Sequence, residues 1–345
     1  MNIKNIQEMK YGEQLVLEGL VKQKETKQKR NGDKYLQLTI VDSSGEMTFP
    51  VWEKVDERDA VINEGDIVKV VGNVGSYGGK NQIVLQGFST PETTDRTKFI
   101  SSYDRESYKF KNLAKYIVNK IFDLEDYSLQ NFICHYLFNM NFQELVGELV
   151  SPAGDLLDDE EIIDFFNEHP VSKKLIVAPA AVHHHQNKLG GLLIHTCGVL
   201  ANAINIMSSY LKDEEYDSHL YTIADNVIDR DLVIVGAILH DIQKIEEYTY
   251  DIMIERDSDS LGHRLLFMKR SQSINDNYKD LSEERLTELQ ELILTHHGPW
   301  GGQKPKNINS VILFCADYLD SQIASCAENN TTKTNMSLKS MIDAE

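Results

Sequence analysis

Between Tyr11 and Thr90 apolar and polar residues alternate in five runs: QLVLEGLVKQKE, KYLQLTIVDSSG, EMTFPVWE, DIVKVVGNVGSYGGK and NQIVLQGF. A period of two marks strands with one buried face. Turn formers punctuate the runs at Asn31-Gly32-Asp33, Ser43-Ser44-Gly45, Glu64-Gly65-Asp66 and Gly78-Gly79, and a helix-compatible stretch, KVDERDAVI, separates the third run from the fourth. From about Ser101 the period changes. SYKFKNLAKYIVNKIF, YSLQNFICHYLFNMNFQELVGELV, DEEIIDFFNEH, GLLIHTCGVLANAINIMSSYL, RDLVIVGAILHDIQKIEEY, LGHRLLFMKRSQSIN, EERLTELQELILTHH and INSVILFCADYLDSQIASC place apolar residues three and four apart, as helices with one packed face do.

This patterning predicts a multidomain α and β chain: a five-stranded OB-fold β-barrel followed by an all-α domain of eight or so helices. The expected boundaries are 1–90 for the barrel, 91–100 for a Thr- and Pro-bearing linker, 101–326 for the helical domain and 327–345 for a polar, loosely held tail. A length of 345 residues suits two domains. No apolar run reads as a membrane span, the amino-terminal MNIKNIQEMKYGEQ is polar, and the four cysteines lack CxxC spacing. These features predict a reduced cytoplasmic protein without disulfides and without a membrane partner.

A formal net charge of −19 disfavours polyanion binding by the chain as a whole. Nucleic acid must then be met by a local basic patch or by bound cations. The barrel supplies such a patch in KQKETKQKR, with Lys22, Lys24, Lys27, Lys29 and Arg30. Its candidate aromatics for stacking are Tyr35, Phe49, Trp52 and Tyr77, with Lys80 near the closing turn. OB-folds hold single strands with cations and stacked bases. Phe49 is expected in the barrel core, and Lys27, Lys29, Arg30, Tyr35, Tyr77 and Lys80 are the expected strand contacts.

All eleven histidines follow the barrel. His240-Asp241 ends the apolar run LVIVGAIL, where burial costs several kcal/mol, roughly, unless the groups are paired or metal-bound. His195, His263, His296, His297 and Asp317 also sit beside apolar helical stretches. Imidazole and carboxylate ligands suit Mn²⁺, Fe²⁺, Co²⁺ or Zn²⁺, and the missing cysteine pairs argue against a structural zinc cage. An aspartate at position 241 has two oxygens with which to bridge two ions that act together on a phosphodiester. Lys244, one turn on, is placed to hold a phosphate. His135, His169 and His219 read as ordinary helix histidines, and one or two of the triplet His183–His185 as cleft residues. Asp320 reads as a supporting or surface group, and the acidic run 155–164 as a helix start.

The ordered set His195, His240-Asp241 and Asp317 resembles the HD-domain metallophosphohydrolases, and His263 with His296-His297 resembles their two-metal subset. The strings GLLIHT, ILHDIQKI, LGH, HHG and ADYLDSQ behind an OB-fold resemble the YhaM family of bacterial 3′→5′ exoribonucleases over roughly residues 11–325. The resemblance implies a metal-dependent exonuclease that shortens single-stranded RNA, and sometimes DNA, from the 3′ end. It implies two divalent ions, Mn²⁺ before Co²⁺, Fe²⁺, Mg²⁺ or Zn²⁺, and self-association. It assigns the first ion to His195, His240, Asp241 and Asp317, and the second to Asp241, His263 and His296 with His297. It also gives catalytic roles to Asp241 and Lys244 and places His185 by the cleft. Gln186 stands where the family has a second histidine, Gln243 where it has glycine, and PWGGQKPKN is short. A phosphohydrolase of small nucleotides and a non-catalytic strand-binding protein are the alternative readings.

Overall fold

The alternating runs become β1 (Gln14–Gln28), β2 (Lys34–Asp42), β3 (Gly45–Val51), β4 (Ile67–Tyr77) and β5 (Lys80–Ser89) of one antiparallel sheet in the order β3-β2-β1-β4-β5. The computed structural model describes residues 3–29, 31–77, 80–91, 95–182, 186–211, 227–249, 254–257 and 259–328. It divides into two units, Met1–Ser102 with Thr249–Glu255, and Tyr103–Tyr248 with Arg256–Glu345.

In the first unit the sheet curls until its edge strands β3 and β5 approach each other. Leu15, Leu17, Leu36, Leu38, Ile40, Phe49 and Val70 fill the interior. The expected five strands and the core position of Phe49 are therefore present. The helix before the closing hairpin is α1 (Val55–Val61). Ladder shifts put one extra residue on β1, at Lys22, and one on β5, at Gln86 opposite Val71/Gly72, and bend those strands. At the second shift a Cβ on Gly72 would lie 2.5 Å from the Val84 carbonyl oxygen, so the close strand approach needs glycine. The end of the expected linker is packed: Arg96–Phe99 forms a 3₁₀ turn, and Phe99 is buried with Leu20 and Ile67.

The second unit is helical: α2 (Tyr108–Phe122), α3 (Tyr127–Phe138), α4 (Phe142–Leu149), α5 (Asp159–Glu168), α6 (Pro170–Leu175), α7 (Gly191–Ser208), α8 (Arg230–Leu239), α9 (Lys244–Glu247), α10 (His263–Tyr278), α11 (Glu283–Thr295) and α12 (Ile308–Glu328). Helix α7 packs against α2, α8 and α12. It is long and apolar enough to pass for a membrane span, with mean hydropathy 1.4 over its 18 residues. Its apolarity is accounted for by burial, since Leu192, Leu193, Val199, Leu200 and Ala203 are all inaccessible.

Two runs expected as single helices are broken. Asn139, in the left-handed region at φ 59°, ends α3, and Asn141 caps α4 in a reciprocal pair with Glu144. The other break falls at 240–243, between α8 and α9, where the backbone bonds become i→i+3: Ile242 to Leu239, Lys244 to Asp241 and Ile245 to Ile242. Helix α12 runs two residues into the expected tail. There the Glu328 carboxylate accepts from the Gln186 amide at 3.0 Å and from the Tyr103 hydroxyl at 2.6 Å. The rest of that tail, 329–345, lies outside the described residues, as do His183–His185, His219 and Arg30.

Candidate metal centre

Five histidines and two aspartates from three helices and the turns that follow two others meet in one place. The tight turn after α8 presents His240 and Asp241, α7 presents His195, α10 begins at His263, α11 ends into His296-His297, and α12 presents Asp317. His195, His240, Asp241, His263, His296 and Asp317 are all buried. The carboxylate of Asp241 lies at the centre. Its Oδ2 is 3.4 Å from His195 Nε2 and 3.4 Å from His240 Nε2, and its Oδ1 is 3.3 Å from His263 Nε2 and 3.6 Å from His296 Nε2. Asp317 Oδ1 joins the first set, 3.2 Å from His195 Nε2. His297 joins the second, with its Nε2 3.2 Å from His263 Nε2. One carboxylate thus shows one oxygen to each histidine set.

Each ring is aimed by a bond at its other nitrogen. Nδ1 of His240 donates to the Ala237 carbonyl at 2.8 Å, and Nδ1 of His296 to the Ile293 carbonyl at 2.6 Å. Nδ1 of His195 faces Asp320 Oδ2 at 2.7 Å, and Nδ1 of His263 faces Glu247 Oε2 at 2.6 Å. A carbonyl can only accept, so in the first two the proton sits on Nδ1 and Nε2 presents a lone pair to the centre. Carboxylate or carbonyl support of this kind is what metal-ligating histidines carry.

The donor set fits a divalent metal. Asp241 Oδ1 and Nε2 of His296 are buried with no hydrogen-bond partner among the described residues, and Asp241 Oδ2 meets only the Lys244 ammonium and the facing rings. Atoms sharing an ion at about 2.1 Å lie roughly 3.0–3.4 Å apart for octahedral to tetrahedral angles, close to the spacings found here. The potential ligand atoms of Asp241, His263, His296 and His297 form one compact group, and those of His195, His240 and Asp241 another.

Burial works against ionisation of Asp241, but Lys244 and His240 beside it hold its carboxyl well below the usual range. Asp317 is likewise penalised by burial and held low by His195. Burial also opposes a proton on His195, yet Asp241, Asp317 and Asp320 together raise it well above its ordinary value. His297 is pushed down to about 2 by burial and by His296, so it is neutral. Lys244 keeps its charge despite burial: Nζ lies 2.5 Å from Asp241 Oδ2 and donates to the Ala180 carbonyl at 2.7 Å.

A hollow of about 620 Å³ opens on this cluster, lined by His195, Asp241, Lys244, His263, His297 and Asp317 together with Arg256, Arg264 and Trp300. Asp320 takes the supporting one of its two expected places, whereas Glu247 as a ring anchor and Arg256 and Arg264 as cleft cations carry no mark in the sequence. Asp320 and Gly198 depend on each other: a Cβ on Gly198 would fall 2.0 Å from Asp320 Oδ1. Gln186 also reaches Asp320, through Nε2 at 3.3 Å. Gln243 is buried and bonds away from this cluster, its Nε2 donating to the Tyr136 hydroxyl at 2.9 Å. Its φ of −77° asks nothing of glycine. His135 is held by Asp280 at 2.7 Å and stacks on Tyr278, a structural clamp as expected.

The HD-domain family matches residues 192–322, and the OB-fold nucleic acid binding domain family matches residues 15–90. Across most of the chain the relatives are "3′-5′ exoribonuclease YhaM" proteins. That of Bacillus licheniformis is 26% identical over 90% of this chain and 86% of its own length. That of Bacillus pumilus is 26% identical over 93% and 88%, and that of Bacillus subtilis 25% over 85% and 80%. The chain is similar to these YhaM proteins over most of its own length and of theirs. The HD match spans α7 to α12 and so contains every side chain of the histidine–aspartate cluster.

The OB-fold match contains the expected strand contacts, which are not equivalent. Tyr35 stacks on Trp52 with ring centres 4.8 Å apart, Trp52 is half exposed, and Lys29 Nζ lies 5.2 Å from the Trp52 ring. Trp52, one of the barrel's candidate aromatics, is thus an outward-facing ring. Lys22, Lys24 and Lys27 are each paired with an acid, Glu46, Asp59 and Glu25, at 2.6, 2.9 and 2.8 Å. Tyr77 and Lys80 end β4 and begin β5, and their side chains lie outside the described residues.

Proposed function

We propose that the protein is a divalent-metal-dependent 3′→5′ exonuclease that hydrolyses single-stranded RNA to nucleoside 5′-monophosphates in the cytoplasm. We extend this to two ions per chain, Mn²⁺ foremost, and to single-stranded DNA as a second substrate. The observation that carries the reading is Asp241, a buried carboxylate with one oxygen toward each of two histidine sets. Polarity of cleavage and RNA as the strand follow the activity in the relatives' names. An OB-fold on the same chain favours a strand over a small nucleotide, which needs no strand-gripping module.

His195, His240, Asp241 and Asp317 would hold one ion, and Asp241, His263, His296 and His297 the other. Bound divalent ions supply Lewis acidity to phosphoryl oxygens and lower the pKa of water toward neutrality. The chain's own contribution is placement. Four rings are fixed at Nδ1, so their Nε2 atoms need no reorientation as charge develops. Lys244 has three N–H donors; Ala180 and Asp241 occupy two, and since the residue lines the hollow the third would serve a non-bridging phosphoryl oxygen. Arg256 and Arg264 line the same hollow and balance the phosphates of the strand.

Strands labelled at the 3′ or the 5′ end, incubated with Mn²⁺ and then with EDTA, test the assignment. The 5′ label is expected to run down a ladder one nucleotide at a time only with metal, while the 3′ label leaves at once as a monophosphate. Strand binding with no shortening under any divalent ion would refute it.

A further inference from the structure

A second, smaller hollow of about 270 Å³ adjoins the first and shares His297, Trp300, Asp317 and Ser321 with it. The two differ in chemistry. The larger carries Lys244, Arg256 and Arg264, whereas the smaller has no lysine or arginine and is walled by Trp300, Phe314 and Tyr318. Trp300 lies nearly parallel to Tyr318, with centres 5.1 Å apart at 13°, and 5.7 Å from Phe314. Large aromatics usually hide, but Trp300 is 48% exposed at the rim of both hollows. The Tyr318 hydroxyl is buried and has no hydrogen-bond partner among the described residues. A polar atom left in that state costs stability unless a ligand pairs with it.

Trp300 is also tied to the metal cluster. It follows His297 by three residues in the 3₁₀ turn Gly298–Gly301. Gly298 has φ +56°, and a Cβ there would lie 2.6 Å from the Phe314 ring, so the turn rests directly on α12. The hollow is below the usual range for drug-sized ligands, about 300–1,000 Å³, and therefore suits one base better than a strand.

We propose that the Trp300–Phe314–Tyr318 hollow receives the base of the 3′-terminal nucleotide, the one that is released. The cationic hollow takes the strand on the other side of the scissile phosphate. The base stacks on Trp300, which every base can do, and the Tyr318 hydroxyl pairs with a polar atom on its edge. This assignment rests on the exonuclease reading and adds where the departing nucleoside sits.

The test compares RNA strands with an ordinary or an abasic 3′-terminal residue, using the full chain with Mn²⁺ and single-turnover rates. Wild type is expected to remove the ordinary residue about tenfold faster or more, given what base stacking is worth. Trp300→Ala brings that ratio close to one, Trp300→Phe keeps most of it, and Tyr318→Phe changes the order of rates among the four bases. Equal slowing of both strands by Trp300→Ala, with the ratio intact, would overturn the proposal. A second measurement does not need hydrolysis. In Trp52→Phe protein the remaining tryptophan is Trp300, and nucleoside 5′-monophosphates are expected to quench its fluorescence where inorganic phosphate does not. Absence of quenching by all four would overturn the base site even in an active exonuclease. Quenching in a protein that shortens no strand would uphold the base site and remove the exonuclease reading alone.

Discussion

Asp241 and His195 are charged because of each other, and a metal changes that. Without an ion, His195 shares its proton among Asp241, Asp317 and Asp320. Its raised value gives stability that is complete below about pH 6.5 and fades as pH climbs through the folded value. Asp241 and Asp317, lowered, contribute above about pH 3.8 and lose that contribution only as pH falls through their folded values. A bound ion must expel the His195 proton, while neutral His297 has none to lose. Mn²⁺ affinity is therefore expected to fall as pH drops from 8 to 6, with proton release seen by calorimetry in buffers of different ionisation heat. Affinity that does not change over that range would contradict the charge assignment. Asp320→Asn and Glu247→Gln each unfasten one ring and are expected to weaken metal affinity or turnover about 10–100-fold. The ligand candidates were legible because histidine and aspartate beside an apolar run demand a partner. Asp320 was legible only as a supporting or surface group and Glu247 not at all, because an acid on a helix normally faces water, and only the fold shows Gly198 making room for Asp320.

At the scale of elements, the turn between α8 and α9 sets the site. Periodicity carries the helix straight through residues 230–248, since Leu232, Ile238, Leu239, Ile242 and Ile245 all remain on the buried side. What it misses is the switch to i→i+3 bonds, a backbone matter with no mark in apolar spacing. That switch brings Lys244 onto Asp241 and turns Gln243 toward Tyr136 instead of the hollow. Gln243→Gly is accordingly expected to leave turnover within about twofold. It should lower the melting temperature by several degrees, as a lost buried hydrogen bond and an added glycine each cost about 1 kcal/mol. A large loss of activity with unchanged melting would place Gln243 at the substrate instead. Gly198→Ala has the opposite signature: its methyl displaces Asp320, so metal affinity should drop while α7 stays folded.

For the whole molecule, a chain of net charge −19 must concentrate its strand contacts. The sequence made the basic hairpin visible but not its pairing, because Glu46 and Asp59 reach Lys22 and Lys24 across the barrel from other elements. What stands out in the first unit is the Tyr35–Trp52 stack with Lys29, so stacking rather than charge should dominate binding there. Tyr35→Ala with Trp52→Ala is expected to raise KM on long strands about tenfold and to leave kcat unaltered, with a salt slope shallower than about −2. The central claim is that Asp241 joins both histidine sets into one metal centre, and Mn²⁺ stoichiometry by calorimetry or native mass spectrometry tests it most directly. Wild type is expected to take two ions per chain and Asp241→Asn to keep neither tightly. Two ions retained at wild-type affinity by Asp241→Asn would contradict it.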